Sequence, residues 1–219
     1  MTAKVATAAK STPRAAPRGA HESARHAFRQ SLLEEAERVF ARTGFQATKM
    51  TEVARAAGVA VGTIYNHFKS KEEIFEAVVL SRSAEFRGEL EPLLRIESPI
   101  ERLRTIWDAS FTHLGTHSAL FMLFIERGGV SELDVERLGG VCVKQEYDVF
   151  LARLREVVTA AVKAKQLRAD VPVDTMVATL SGAMNGAFYA WVKRQRRGRI
   201  EDVAEDLWKL FFSGARPPR

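Results

Sequence analysis

Apolar residues along this chain recur every three or four positions, the spacing of helices with one buried face. Leu32, Leu33, Ala36, Val39 and Phe40 form the first such stripe. Gly44 supplies a left-handed stop, and Phe45 is placed to fold back onto the helix. The pattern predicts a helix over 23–43, short helices over 49–57 and 61–68, and a break at Gly58 between them. Thr48 is the expected N-cap of the first short helix. Ser70-Lys71-Glu72-Glu73 reads as a capping box opening a long helix towards Leu94, and Ser98-Pro99-Ile100-Glu101 as a second box with proline at the first helical position. Further helices are expected from Ser118 to Gly128-Gly129, over 138–165 with Gly139-Gly140 weakening the start, from a cap at Asp174 to about Arg196, and over 200–212. That makes nine helices, and no run shows the alternation of a strand.

Composition changes this picture little. The 219 residues are 46% hydrophobic and 27% charged, an ordinary globular balance. The single cysteine, Cys142, excludes an internal disulfide and any zinc site needing two thiolates, which fits a reducing cytoplasm. Charge adds more. Of the net +6, residues 1–80 carry +4, from 12 basic and 8 acidic side chains. A basic N-terminal third calls for an anionic partner. Residues 1–22 are expected to be a disordered basic arm without the apolar core of a secretory signal, and 214–219 a flexible tail. The uncharged stretch 175–192 holds a G-x-x-x-G pair but also Thr175, Thr179, Ser181 and Asn185, so it reads as a buried soluble helix, not a membrane span.

The segment 48–68 carries the chemistry. Two short helices joined by a glycine-containing turn form a helix-turn-helix pattern. Met50, Val53, Ala54 and Ala57 give the first helix an inner face, Val59 plugs the turn, and Ile64 and Phe68 hold the second helix down, with Val61 clustered beside them at about 100° per residue. The second helix then turns Gly62, Thr63, Tyr65 and Asn66 outwards, an uncharged face rich in hydrogen-bonding groups. Such a face suits a major groove: Thr63 and Asn66 for base edges, Gly62 for close approach. Thr48, Lys49, Tyr65, His67 and Lys71 surround it as phosphate contacts.

The run Ala36, Phe40, Gly44-Phe45, Thr48, Val53-Ala54, Ala57-Gly58-Val59, Gly62-Thr63-Ile64-Tyr65, His67-Phe68 and Ser70-Lys71-Glu72 resembles the DNA-binding domain of TetR-type transcriptional regulators over residues 25–76. Gln166–Asp170, Asp174 and Leu180-Ser181-Gly182 are similar to the lead into that family's dimerisation helix. The resemblance implies an all-α fold, with an N-terminal three-helix DNA-binding domain over 23–70 and an effector-binding and dimerisation domain over 71–213. It also implies a homodimer on a near-palindromic operator, usually as a repressor, with a small-molecule effector. By that implication Thr48, Lys49, Thr63, Tyr65, His67 and Lys71 contact DNA with Gly62 closely apposed; Ala60, Val61 and Asn66 complete the DNA-facing set, Asn66 at a variable position that tunes the operator sequence. Ala60 departs from the family, in which many members carry serine as a cap.

Bulky residues mark the remainder. Most of an aromatic stripe is core, but Trp107, Phe111, Phe121, Phe124, Tyr147 and Phe150 are the candidates for a pocket between helices, suited to an apolar or aromatic effector. Met176, Leu180, Ala183, Met184 and Ala187, with Val203, Leu207, Leu210 and Phe211, offer stripes for a four-helix dimer interface or for the chain's own core. His113 and His117 share a helix face without a third ligand, so no metal is predicted. No cofactor is predicted either. Catalytic signatures such as G-x-S-x-G or H-E-x-x-H are absent, and a non-enzymatic cytoplasmic, nucleoid-associated regulator is expected. Two alternatives remain: an all-α ligand-binding protein or enzyme without DNA binding, and a helix-turn-helix protein of nucleoid organisation or cell division.

Overall fold

The computed structural model describes residues 18–118, 120, 121, 134–194 and 197–216, with side chains for all of these but 18–22, 24 and 134–139. Eight helices are described: α1 (Arg18–Thr43), α2 (Met50–Ala56), α3 (Val61–His67), α4 (Lys71–Leu93), α5 (Pro99–Thr116), α6 (Asp134–Lys163), α7 (Val173–Lys193) and α8 (Ile200–Ala215). No strand occurs among the described residues. Of the short helix expected from Ser118, only residues 118, 120 and 121 are described, and these are helical.

Helix ends follow local chemistry, with corrections. Gly44 is left-handed at φ 78°, and its N–H donates to Phe40 O at 2.9 Å, closing α1 as expected. Thr48 does not cap α2. The cap is Lys49, whose N–H donates to Glu52 Oε2 at 2.9 Å. At α4, Ser70 Oγ accepts from Glu73 N–H at 3.2 Å, but the Glu73 carboxylate turns to the Lys69 N–H, so the box closes only halfway. Ser98 caps α5 without a side-chain bond to the helix; the following proline fixes the entry. Pro172, not Asp174, precedes α7, and Asp174 lies in its first turn. In α6, Gly140 breaks the helical path at φ 83°, ψ 172°, the weak point that Gly139-Gly140 predicted.

Two apolar clusters organise the chain. The first joins α1 to α3 with the start of α4: Leu32, Leu33, Ala36, Val39, Phe40, Phe45, Val53, Ala54, Ile64, Phe68, Ile74, Phe75, Ala77 and Val78. Phe45 lies with its ring centroid 5.5 Å from Phe40 and 5.4 Å from Phe75. The second is built from α4's far end through α8, around Leu103, Trp107, Phe111, Val158, Leu180 and Phe188. α4 packs on α1, α5 and α6 and supplies both clusters, Ile74 to Val78 to one and Leu90 to the other. A division at residue 70 therefore cuts through the first cluster.

Candidate nucleic-acid interface and a helix-lined cavity

The α2–turn–α3 unit is held from below. Val53, Ala54 and Ile64 are each at most 1% exposed, and Phe68 is 2%. Gly58 turns the chain at φ 67°, a conformation that a side chain would strain. Val59 N–H donates to Ala54 O at 3.0 Å, tying the turn to α2. α3 is therefore a rigid ridge whose outer residues are free of structural duty.

Those outer residues are Val61, Gly62, Tyr65, Asn66 and His67, all exposed, with Thr63 half-buried. Tyr65 is 52% exposed. Val61 is a correction: at 37% exposure it lies on the outer face and does not help Ile64 and Phe68 hold the helix down. Ala60 is the cap of α3 and gives it no side-chain bond. A Cβ on Gly62 would meet nothing within 4 Å, and its φ is not positive. The fold does not need a glycine there.

The flanking groups divide. Lys49 is exposed beside the α2 N-terminus. His67 is exposed, and its ring centroid lies 5.6 Å from that of Phe28. Thr48 is 2% exposed; its hydroxyl donates to Gly44 O at 2.7 Å and meets the Thr43 hydroxyl at 2.6 Å. It fixes the α1–α2 turn from inside. Lys71 Nζ donates to Phe45 O and Gln46 O, both at 2.9 Å, and sits 4.8 Å over the Phe45 ring. Its charge thus closes the same turn from the other side.

A cavity of about 380 Å³ lies between α4, α5, α6 and α7. Phe86, Leu90, Ile106, Phe150, Leu154 and Met184 form its apolar wall. Phe121, Tyr147 and Phe150 line it as the sequence suggested. Trp107 and Phe111 do not line it: they are core, and Trp107 Nε1 donates to Ala204 O at 2.9 Å, binding α5 to α8. Phe124 lies outside the described residues. Sequence reading missed Arg82, Phe86, His113 and His117 in this wall. The two histidines had the right i, i+4 spacing for a shared face, but their partners come from other helices, invisible to local spacing.

At the end nearest α1, Arg82 Nε donates to Glu37 Oε2 at 2.7 Å and His117 Nδ1 donates to Glu37 Oε1 at 2.9 Å. Burial alone would raise the Glu37 carboxyl, but the His117 and Arg82 hydrogen bonds and charges outweigh it and hold it below the ordinary range. The His113 ring lies 4.7 Å from His117 and 4.7 Å from Phe86. Burial, aided by His117 and opposed by Glu89 and Glu85, lowers its pKa. Among the described residues no three His, Cys, Asp or Glu side chains are grouped to hold a metal.

The proposed dimer stripes separate by exposure. Met176, Leu180 and Met184 are buried at 3%, 1% and 6% in the chain's own core, which corrects their placement on an interface. Ala183, Ala187, Val203, Leu207 and Phe211 are half-buried, and Leu210 is 72% exposed. The open face of α7 is instead Ala178, Gly182, Gly186 and Ala190. No described helix is long and apolar enough to cross a membrane.

Comparison with known proteins agrees with this geometry. Residues 32–78 match the family model described as bacterial regulatory proteins, tetR family. The chain is 28% identical over 195 residues to the HTH-type transcriptional regulator SrpR of Pseudomonas putida, covering 87% of each. It is 28% identical to the HTH-type transcriptional regulator AcrR of Shigella flexneri, covering 84% of this chain and 87% of that one. In fold it is similar to the transcriptional regulator FadR of Bacillus subtilis, solved with stearoyl-CoA, with TM-score 0.73 and 19% identity over 85% of this chain and 99% of that one. A helix-turn-helix ridge on a two-cluster, all-helical body, with relatives that are regulators along most of its length, gives residues 32–78 as a TetR-family DNA-binding domain in a chain similar throughout to HTH-type transcriptional regulators.

Proposed function

We propose that the chain is a non-enzymatic, cytoplasmic repressor that acts as a homodimer and leaves its operator when an apolar or aromatic effector fills the helix-lined cavity. The reading is carried by Gly62: a glycine the fold does not require, on the exposed face of a rigid short helix. In this reading Gly62 admits the groove floor. Thr63 and Asn66 meet base edges, and Val61 meets a thymine methyl. Lys49, Tyr65 and His67 contact phosphate. Thr48, Ala60 and Lys71 act indirectly, by setting the turn and the start of α3.

The DNA-binding unit then extends from about residue 23 through the first turns of α4, and the effector and dimer unit takes the rest. Dimerisation uses the open small-residue face of α7 with Leu207, Leu210 and Phe211 of α8, a four-helix arrangement that sets the two α3 ridges about 34–36 Å apart. Support for an apolar effector comes from the cavity wall and from the stearoyl-CoA held by FadR of Bacillus subtilis, which is similar in fold. The test is selection of bound fragments from the source genome, followed by footprinting. Two protected half-sites one helical turn apart, or a multiple of it, are expected. Protection of a single half-site, or none, overturns the reading.

A further inference from the structure

The cavity's polar groups are not scattered. Arg87 and Arg153 line it too, but they are 54% and 56% exposed and pair with Glu146 and Glu156 at the rim. Arg82, at 17% exposure, is the inner cation, and His117, at 16%, stands beside it. Both are aimed at one carboxylate, one donor for each oxygen, and that carboxylate is Glu37 of α1. Glu37 does not line the cavity. It reaches the two donors from behind, out of the helix that carries the first cluster. Glu85 and Glu89 are outer partners, 46% and 48% exposed, of Arg82 Nη1 and His113.

A donor pair in this arrangement is built for a carboxylate. Displacing Glu37 by an uncharged group would leave Arg82 Nε and His117 without an anion, with only the outer Glu85 still on Arg82, at a cost typical of a broken part-buried pair. A ligand carboxylate would not. It would replace one anion by another, leaving the charge around the buried donors unchanged, while Glu37 turns out and regains water. We propose that the effector is an apolar monocarboxylic acid whose carboxylate takes Glu37's place on Arg82 and His117, unfastening α1 from α4 and α5. This rests on the cavity being the effector site. The exchange makes Glu37 a built-in competitor, and it makes ligand entry and release of the DNA-binding cluster one event.

The test uses three probes with one apolar body: decanoate, methyl decanoate and 1-decanol, titrated against the full chain by calorimetry and by displacement from a selected DNA fragment. Decanoate is expected to bind roughly tenfold or more tighter than the two neutral probes, the worth of one charge-assisted hydrogen bond. Glu37→Gln should tighten decanoate several-fold, leave decanol unchanged, and reduce the effect of decanoate on DNA binding. His117→Phe should erase the preference for the acid while decanol still binds, which reports an intact cavity. Equal binding of acid, ester and alcohol, or a Glu37→Gln variant with unaltered acid affinity, overturns the proposal alone. A preference for the ester assigns the head to a carbonyl compound such as a thioester and overturns it as well. If no probe binds, the effector-site reading falls and this proposal with it.

Discussion

At the scale of single residues, position in the sequence misleads where it does not report what a side chain touches. Lys71 has the charge and place of a phosphate contact, yet its ammonium is spent on Phe45 O and Gln46 O. Lys71→Ala is therefore expected to lower stability by about 1–2 kcal/mol, the range for charge-assisted hydrogen bonds in partial solvent. A thermal melt without DNA would read this directly; a phosphate contact alone would leave the melt unmoved. Gly62→Ala is the converse. The melt should hold or rise by up to about 1 kcal/mol, because the added methyl meets open space and alanine favours the helix, while affinity for the selected fragment should fall by about 1–3 kcal/mol, the scale of a base-edge contact. Val61 and Thr48 were misplaced by helical-wheel geometry and by residue type: a two-turn helix is too short for its wheel to fix its first residue, and a threonine before a helix can serve the previous turn as readily as the next.

At the scale of elements, the helix-turn-helix was legible because each of its signals is local: the Gly58 turn, the small Ala54 at the crossing, the apolar Val53, Ile64 and Phe68 at helical spacing. The cavity was only half legible. Phe121, Tyr147 and Phe150 announce themselves as bulky residues, but the Glu37–Arg82–His117 cluster joins residues 45 and 80 positions apart, which no spacing rule detects. This cluster and His113, whose ring lies 4.7 Å from that of His117, set a pH dependence. His113 has a pKa lowered chiefly by burial, so the unfolded state binds the proton more readily. Stability is then full above the unfolded value of about 6.5 and declines as pH falls through it towards the folded value. Glu37 adds a second decline further down, since its depressed pKa stabilises the fold above the ordinary carboxyl range and loses that as pH falls through the folded value. Melts of the wild type and His113→Gln between pH 7.5 and 5.5 should differ in slope, with the variant flatter. Parallel slopes would remove His113 from the account.

At the scale of the whole molecule, the proposed dimer assigns the open face of α7 to the partner and its buried face to the core. Gly182 and Gly186 have room for a side chain within one copy. Gly182→Leu should keep the helical circular dichroism and the melt of a single copy near wild type, yet shift the protein to half its mass in sedimentation and weaken operator binding. Leu180→Ala, one residue pair away but 1% exposed, should instead cost about 2–5 kcal/mol of stability. α4 contributes Ile74, Phe75 and Val78 to one cluster and Leu90 to the other on a single unbroken rod. The DNA reader consequently cannot be transplanted by cutting at the loop before it. A graft that ends at residue 70 would open the oily underside of α1 to water, whereas one carried to about residue 80 takes its own lid along, so any shuffling of such readers between sensor bodies has to splice within a helix and keep its phase.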